Sequence, residues 1–274
     1  MRNNKEFLTG ISPTWCPGCG NFGILTGLRL ALKKSGLTPE ETVVSYDIGC
    51  GANMGGFLRT SSFLGLHGRA IPLACGVKLA NPRLAVLAVG GDGGLLGEGG
   101  NHLIHASRRN DDITVLISNN HLFSLTTGQA SPTSPKGLKT KTFPEGSEIL
   151  PVDPVALGLV SGASFVARLF AGQVELMAKV IGQAIRHKGF SLVEILSPCV
   201  TFDKDYTFAW YRQHTHIIKR PFPSTDKALK GSRADKKGFP LGIFFRERRK
   251  TFDKIVSKEK LPNKNITPLL RLFR

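Results

Sequence analysis

No stretch of this 274-residue chain stays apolar for the roughly 20 positions that a membrane-spanning helix requires. Its opening residues, MRNNKEFLTGISPTW, also lack the continuous apolar segment of a secretory signal. A cytoplasmic protein without a membrane partner is therefore expected. Acidic residues are scarce, 20 Asp and Glu against 37 Lys and Arg, for a formal charge of +17. The imbalance is local: from Thr201 onward there are 19 basic and 7 acidic residues, against 18 and 13 before it. That basic tail lacks the aromatic–glycine signature of an RNA-binding sheet, so no nucleic-acid partner is expected. It reads instead as a solvated, partly irregular extension able to attract an acidic partner. Cysteine is sparse too: five residues, with a single Cys-x-x-Cys pair, argue for a metal or catalysis over a disulfide framework.

What is present points to an α/β fold. Apolar residues make up 41% of the chain and there are 31 glycines. Helical spacing predicts a helix over 22–35, and then short apolar strands alternate with helices. The strands are expected at ETVVSYDIG, RLAVLAV, ITVLISNN, ASFVARLF and FSLVEILSP, with helices at GRAIPLACGVKLAN, GEGGNHLIHASRRN and AGQVELMAKVIGQAIRHKG. Nearly continuous apolar strands between helices predict a mostly parallel sheet with helices on both faces. Residues 1–203 are expected to form that unit and 204–274 the extension. Ligands of such sheets bind at the carboxyl ends of strands.

One stretch, PTWCPGCGNFG, supports competing readings. Cys16 and Cys19 could be a redox dithiol, half a zinc site, or part of an iron–sulfur site. Gly18, Gly20 and Gly23 also spell the dinucleotide fingerprint G-x-G-x-x-G. That fingerprint needs a strand before it, and none is predicted upstream.

Two strand ends carry matching chemistry. GGDGG places Asp92 after one strand, and SNN places Asn119 and Asn120 after the next. A parallel crossover would bring them to one edge. Carboxylate, amide and carbonyl oxygens suit Mg²⁺, which usually binds together with phosphate oxygens, and the glycines let the backbone approach a diphosphate. Two ordinary turns would look the same.

G-D-G followed by N-N resembles the thiamine diphosphate motif. WCPGCGNFGIL, HGRAIP, GVKLANP, GEGGNHLIHASRRN, TTGQASPTS and HKGFSLVEILSPCVTF resemble, in order, the β subunit of 2-oxoacid:ferredoxin oxidoreductases, closest to the 2-oxoglutarate type. PLGIFFRERRKTF extends the likeness. The resemblance implies a thiamine-diphosphate-binding fold in which Asp92, Asn120 and the Leu122 carbonyl hold Mg²⁺. Gly91, Gly93, Asn119 and His67 would lie against the cofactor, and Cys16, Cys19, Cys50 and Cys199 would hold a [4Fe–4S] cluster. Cys75 is left as a buried core residue, and His102 and His105 as pocket-lining or packing residues. The implied reaction is CoA-dependent oxidative decarboxylation of a 2-oxoacid, 2-oxoglutarate as best guess with pyruvate or a broad range as the alternative, with electrons passing to ferredoxin. An activating glutamate would come from a partner α subunit. Three features depart from the family pattern: Gly94 stands where G-D-G-D has its second Asp, Phe123 and Ser124 stand where NNxxYGxTxGQ has Tyr and Gly, and the tail beyond Phe252 matches nothing. A nicotinamide-dependent oxidoreductase and a basic nucleic-acid-binding module remain the rival classes.

Overall fold

The computed structural model describes residues 7–256. The chain runs α1 (Gly20–Lys34), β1 (Thr42–Tyr46), β2 (Ser61–Leu64), α2 (Ala70–Ala80), β3 (Ala85–Gly91), α3 (Gly100–Arg109), β4 (Thr114–Asn119) and a short hairpin, β5 (Leu122–Phe123) with β6 (Gln129–Ala130). It continues through α4 (Pro154–Val160), β7 (Phe165–Phe170), α5 (Val174–Arg186), β8 (Ser191–Leu196), α6 (Phe208–Gln213), β9 (Thr215–Ile217), α7 (Thr225–Gly231), β10 (Phe239–Arg246) and α8 (Phe252–Val256). Eight strands form one sheet in the order β2-β1-β3-β4-β8-β7-β10-β9. From β2 to β7 every pairing is parallel; β10 runs antiparallel to β7 and carries β9 beside it.

The burial of the central strands explains their composition. Every residue of β1, β4, β7 and β8 is buried, as a sheet covered on both faces requires. Alternate side chains serve opposite layers: Leu87, Val89, Leu116 and Val193 pack with α1 and α5, while Val86, Ala88, Val115 and Leu192 pack with α2, α3 and α4. All five predicted strands and four predicted helices are present, although the stretch around GEGGNHLIHASRRN divides. A turn of π-helix, Gly93–Glu98, precedes α3 and is closed by the bond from Gly99 N to Gly94 O.

The basic region after Thr201 is more ordered than its composition suggests. β10 joins the main sheet, and Ala228 of α7 and Phe244 of β10 sit in the same core layer as α2 and α3. The sequence PLGIFF supplies this edge with apolar residues. The unmatched tail lies largely outside the described residues. No helix among the described residues is long and apolar enough to cross a membrane.

Candidate active site at the carboxyl edge of the sheet

The glycines of PTWCPGCGNFG have a packing purpose. A Cβ on Gly20 would lie 2.3 Å from Ser197 Oγ, and one on Gly23 would lie 2.2 Å from Ala171 O. Gly20 N also donates to Pro198 O at 3.2 Å. The start of α1 is thus pressed onto the ends of β8 and β7, and no strand precedes it among the described residues. This geometry removes the dinucleotide reading. It also fixes the cysteines. Cys199 follows β8, and Trp15 Nε1 donates to Cys50 O at 2.7 Å, tying the loop after β1 to the Cys-x-x-Cys turn.

Cys16, Cys19, Cys50 and Cys199 converge closely enough for Cys19 to be within electrostatic reach of the other three. Burial, with smaller contributions from the neighbouring cysteines, pushes the Cys19 thiol up to about 11, and burial raises Cys199 as well. Among the described residues no three His, Cys, Asp or Glu side chains are drawn together around a single ion. Four thiolates are what a [4Fe–4S] cluster would need, and this corner brings four cysteines near one another. Cys75 is apart from this corner, buried in α2 with its Sγ 3.1 Å from Asp111 Oδ2.

Beside that corner lies a cavity walled by the loop after β1, by Gly91–Gly94, by Ser118 and Asn120, and by residues 122–126. Cys50, His67, Asp92, Asn120, Leu122 and Phe123 all face it. Asn120 Oδ1 accepts from Leu122 N at 3.0 Å, and the intervening His121 takes a left-handed conformation, φ +62°. A Cβ on Gly93 would meet Phe123 Cε1 at 2.4 Å, so any side chain there would displace that ring.

Asp92 is 1% exposed and bonded only to neutral donors. Ser131 Oγ and Thr133 Oγ1 donate to its Oδ2 at 2.5 and 2.7 Å, and Asn120 N approaches Oδ1 at 3.4 Å. Burial raises its pKa, and the two hydroxyls only partly oppose this. A carboxyl buried with no Lys or Arg beside it, in a cavity shared with an amide and a backbone carbonyl, fits a divalent ion carrying phosphate oxygens.

Asn119 does not line the cavity. The alternation of β4 turns its side chain into a buried network, where Nδ2 donates to Glu194 Oε1 at 2.7 Å and Oδ1 lies 2.8 Å from Thr133 Oγ1, whose single hydrogen it shares with Asp92. Glu194 is paired with Arg168 at 2.6 Å, and Arg168 also donates to Asp153 Oδ1 and Ser232 O. His121 bonds Thr133 O with one ring nitrogen and Tyr211 OH with the other, both at 3.0 Å. His102 and His105, on α3, do not line the cavity either.

Ser131, Thr133, Arg168, Glu194 and Tyr211 were not picked out from sequence. One signal was available: Arg168 and Glu194 are the single charges in FVARLF and SLVEIL and stand opposite each other in the β7–β8 register.

Residues 47–195 match the family described as thiamine pyrophosphate enzyme, C-terminal TPP binding domain, and residues 199–260 match the C-terminal part of the pyruvate ferredoxin oxidoreductase beta subunit. The 2-oxoacid:ferredoxin oxidoreductase subunit beta of Saccharolobus solfataricus is 40% identical over 251 residues, 84% of this chain and 81% of that protein. The chain belongs to the β subunits of 2-oxoacid:ferredoxin oxidoreductases. This β subunit is also 43% identical to the 2-oxoglutarate synthase subunit KorB of Archaeoglobus fulgidus, over 72% of this chain and 73% of that one. A solved 2-oxoglutarate:ferredoxin oxidoreductase from Magnetococcus marinus, with 2-oxoglutarate, coenzyme A and succinyl-CoA bound, superposes with a TM-score of 0.92 at 33% identity, covering 100% of the β subunit and 97% of that chain. The β subunit is accordingly a thiamine-diphosphate-binding oxidoreductase chain that works with an α subunit.

Proposed function

We propose that this β subunit serves a 2-oxoglutarate:ferredoxin oxidoreductase, forming the acyl-CoA with loss of CO₂ and passing two electrons, one at a time, to ferredoxin. The observation that carries the site is Asp92, buried without a cation in a cavity it shares with Asn120 and Leu122. Asp92, Asn120 Oδ1 and the Leu122 carbonyl would hold Mg²⁺ against the diphosphate, and Gly91 and Gly93 would leave room for it. When bound, thiamine diphosphate supplies the electron sink for decarboxylation. The chain's own part is positional: Ser131 and Thr133 aim Asp92, and Thr133 with Glu194 aims Asn119 beneath it. Leu122, Phe123 and Leu125 give the cavity an apolar wall.

Cys16, Cys19, Cys50 and Cys199 would ligate the [4Fe–4S] cluster. Ser124 Oγ donates to Cys50 Sγ at 3.4 Å and to no other sulfur described, so the cluster corner and the cofactor cavity share a wall. The described part of the extension, residues 204–256, would act as a buttress to the unit before it, through Tyr211 on His121 and Ser232 on Arg168. The bound 2-oxoglutarate of the Magnetococcus enzyme favours that substrate for this chain. A broader 2-oxoacid range is the second reading, favoured by Phe123 and Ser124 at the cavity wall and by the general 2-oxoacid names of four relatives.

The test is anaerobic assembly with the α subunit, assaying CoA-dependent ferredoxin reduction with 2-oxoglutarate, pyruvate and a branched 2-oxoacid, alongside electron paramagnetic resonance after dithionite. Preference for 2-oxoglutarate together with a reduced-cluster signal, lost in Cys199→Ser, is expected. Equal rates on all three substrates would move the assignment to the broad reading. A silent spectrum with zinc in place of iron would remove the electron path.

A further inference from the structure

Asp47 ends the buried strand run of β1 and is fully buried, yet its Oδ2 has no hydrogen-bond partner. Its other oxygen accepts from Gly68 N at 2.6 Å, which ties the turn carrying His67 to the sheet. The carboxyl lies in a slot that two glycines clear. A Cβ on Gly90 would stand 2.6 Å from Asp47 Cβ, and one on Gly94 would stand 1.7 Å from Asp47 Oδ2 and 2.7 Å from its Cγ. The same point above Gly94 is 2.9 Å from His67 Cε1. Asp47 Oδ2 and the His67 ring therefore flank one small volume beside the cavity that Gly94 and His67 line. At the ring atom next to Cε1, Glu98 Oε2 lies 3.1 Å from His67 Nδ1. The backbone of Gly94 is helical, so sterics against Asp47, not φ, fix the residue there.

We propose that Asp47 and Gly94 are a matched pair: Asp47 delivers, from the end of β1, the carboxylate of this corner of the cavity, and a side chain at position 94 would occupy the same space. Asp47 is a positioning residue. It holds the 65–68 turn so that His67 faces the cavity, and its free oxygen closes the wall beside Gly94. This accounts for the departure noted in the sequence, since a pattern with aspartate at position 94 places its carboxyl in the slot that Asp47 fills here. Asp47 cannot give way at low cost, because it is boxed between Gly90 and Gly94 and tethered to Gly68.

The functional side of this inference rests on the thiamine-diphosphate reading, so the test has two readouts on the assembled enzyme. Thermal unfolding reports the slot, and the KM for the 2-oxoacid against kcat reports the positioning of His67. Gly94→Ala and Gly94→Asp are expected to lower the unfolding midpoint clearly, and Asp47→Gly added to either is expected to restore it. In activity the exchange Asp47→Gly/Gly94→Asp is expected to come within a few-fold of wild type. Asp47→Gly/Gly94→Ala, equally stable but without the carboxylate, is expected to raise KM by more than kcat falls. Wild-type stability in Gly94→Ala would overturn the matched pair. An exchange no more active than Gly94→Asp alone would overturn the positioning role. Were the wild-type enzyme to bind no thiamine diphosphate, the function reading would fail while the unfolding series still judged the slot.

Discussion

The two edges of the sheet bury carboxylates in opposite ways. At the amino edge, Asp111 and Asp112 precede β4, and each meets a cation: Arg109 NH2 reaches Asp111 at 2.6 Å and Lys78 Nζ reaches Asp112 at 2.9 Å. At the carboxyl edge, Asp47 and Asp92 are buried as deeply, and among the described residues no Lys or Arg pairs with either. Burial raises the pKa of both. A desolvated charge is costly unless compensated, so the amino edge reads as structure, whereas at the carboxyl edge Asp92 is the ligand proposed above for a cation and Asp47 the proposed positioning residue. Arg168, between the two, satisfies Glu194, and that pair supports the site from below.

The largest effect should come from neutralising the unpaired carboxylate. Asp92→Asn is expected to weaken Mg²⁺–thiamine diphosphate binding by at least about 100-fold, beyond what losing a supporting residue costs. It should also raise the stability of the metal-free chain, because a neutral amide costs less to bury. Calorimetric titration and metal-free unfolding check the two halves. Next is Arg168→Met, which strands Glu194 and should cost roughly 3–5 kcal/mol in denaturant unfolding. Adding Glu194→Gln should recover much of it, showing that the pair behaves like the amino edge. Thr133→Val removes one donor to Asp92 and should weaken metal binding about 10- to 100-fold with the fold intact; equal affinity in a metal titration would break the claim that the network aims the ligand.

The smallest effect lies at the amino edge. Burial lowers the His187 pKa from 6.5 to about 4, with Arg246 and Arg248 adding to the shift against Asp112. Between those values the unfolded chain binds a proton that the native chain does not, so stability should fall as pH drops from 6.5 and level off near 4. His187 is partly exposed, which keeps the effect small. His187→Gln should flatten the unfolding midpoint across that window.

Much of this comparison was legible in the sequence. Apolar runs such as TVLISN and SLVEIL marked the strands, and GGDGG with SNN marked the edge where Asp92 and Asn120 meet, because a parallel crossover leaves few alternatives. β2 was missed because SSFL is short and fully exposed, with no buried face to impose a pattern. α4 was missed despite Asp153 capping it and Pro154 opening it. The basic tail hid β10, since net charge says nothing about the apolar face of PLGIFF. Asn119 was expected beside the cofactor, but the pairwise alternation of a strand turns neighbours apart. The support network was illegible for a plainer reason: Ser131, Thr133 and Tyr211 reach the site from distant segments that only the fold brings together.

The central claim, that the carboxyl edge holds an anion awaiting a cation, is tested most directly by thermal unfolding of the full chain, wild type and Asp92→Asn, with and without Mg²⁺ and thiamine diphosphate. The account predicts that the variant melts higher than wild type without ligand, and that only the wild type gains as ligand is added, in proportion to the logarithm of its concentration. A variant that melts lower without ligand, or that gains as much as wild type on adding it, would contradict the account.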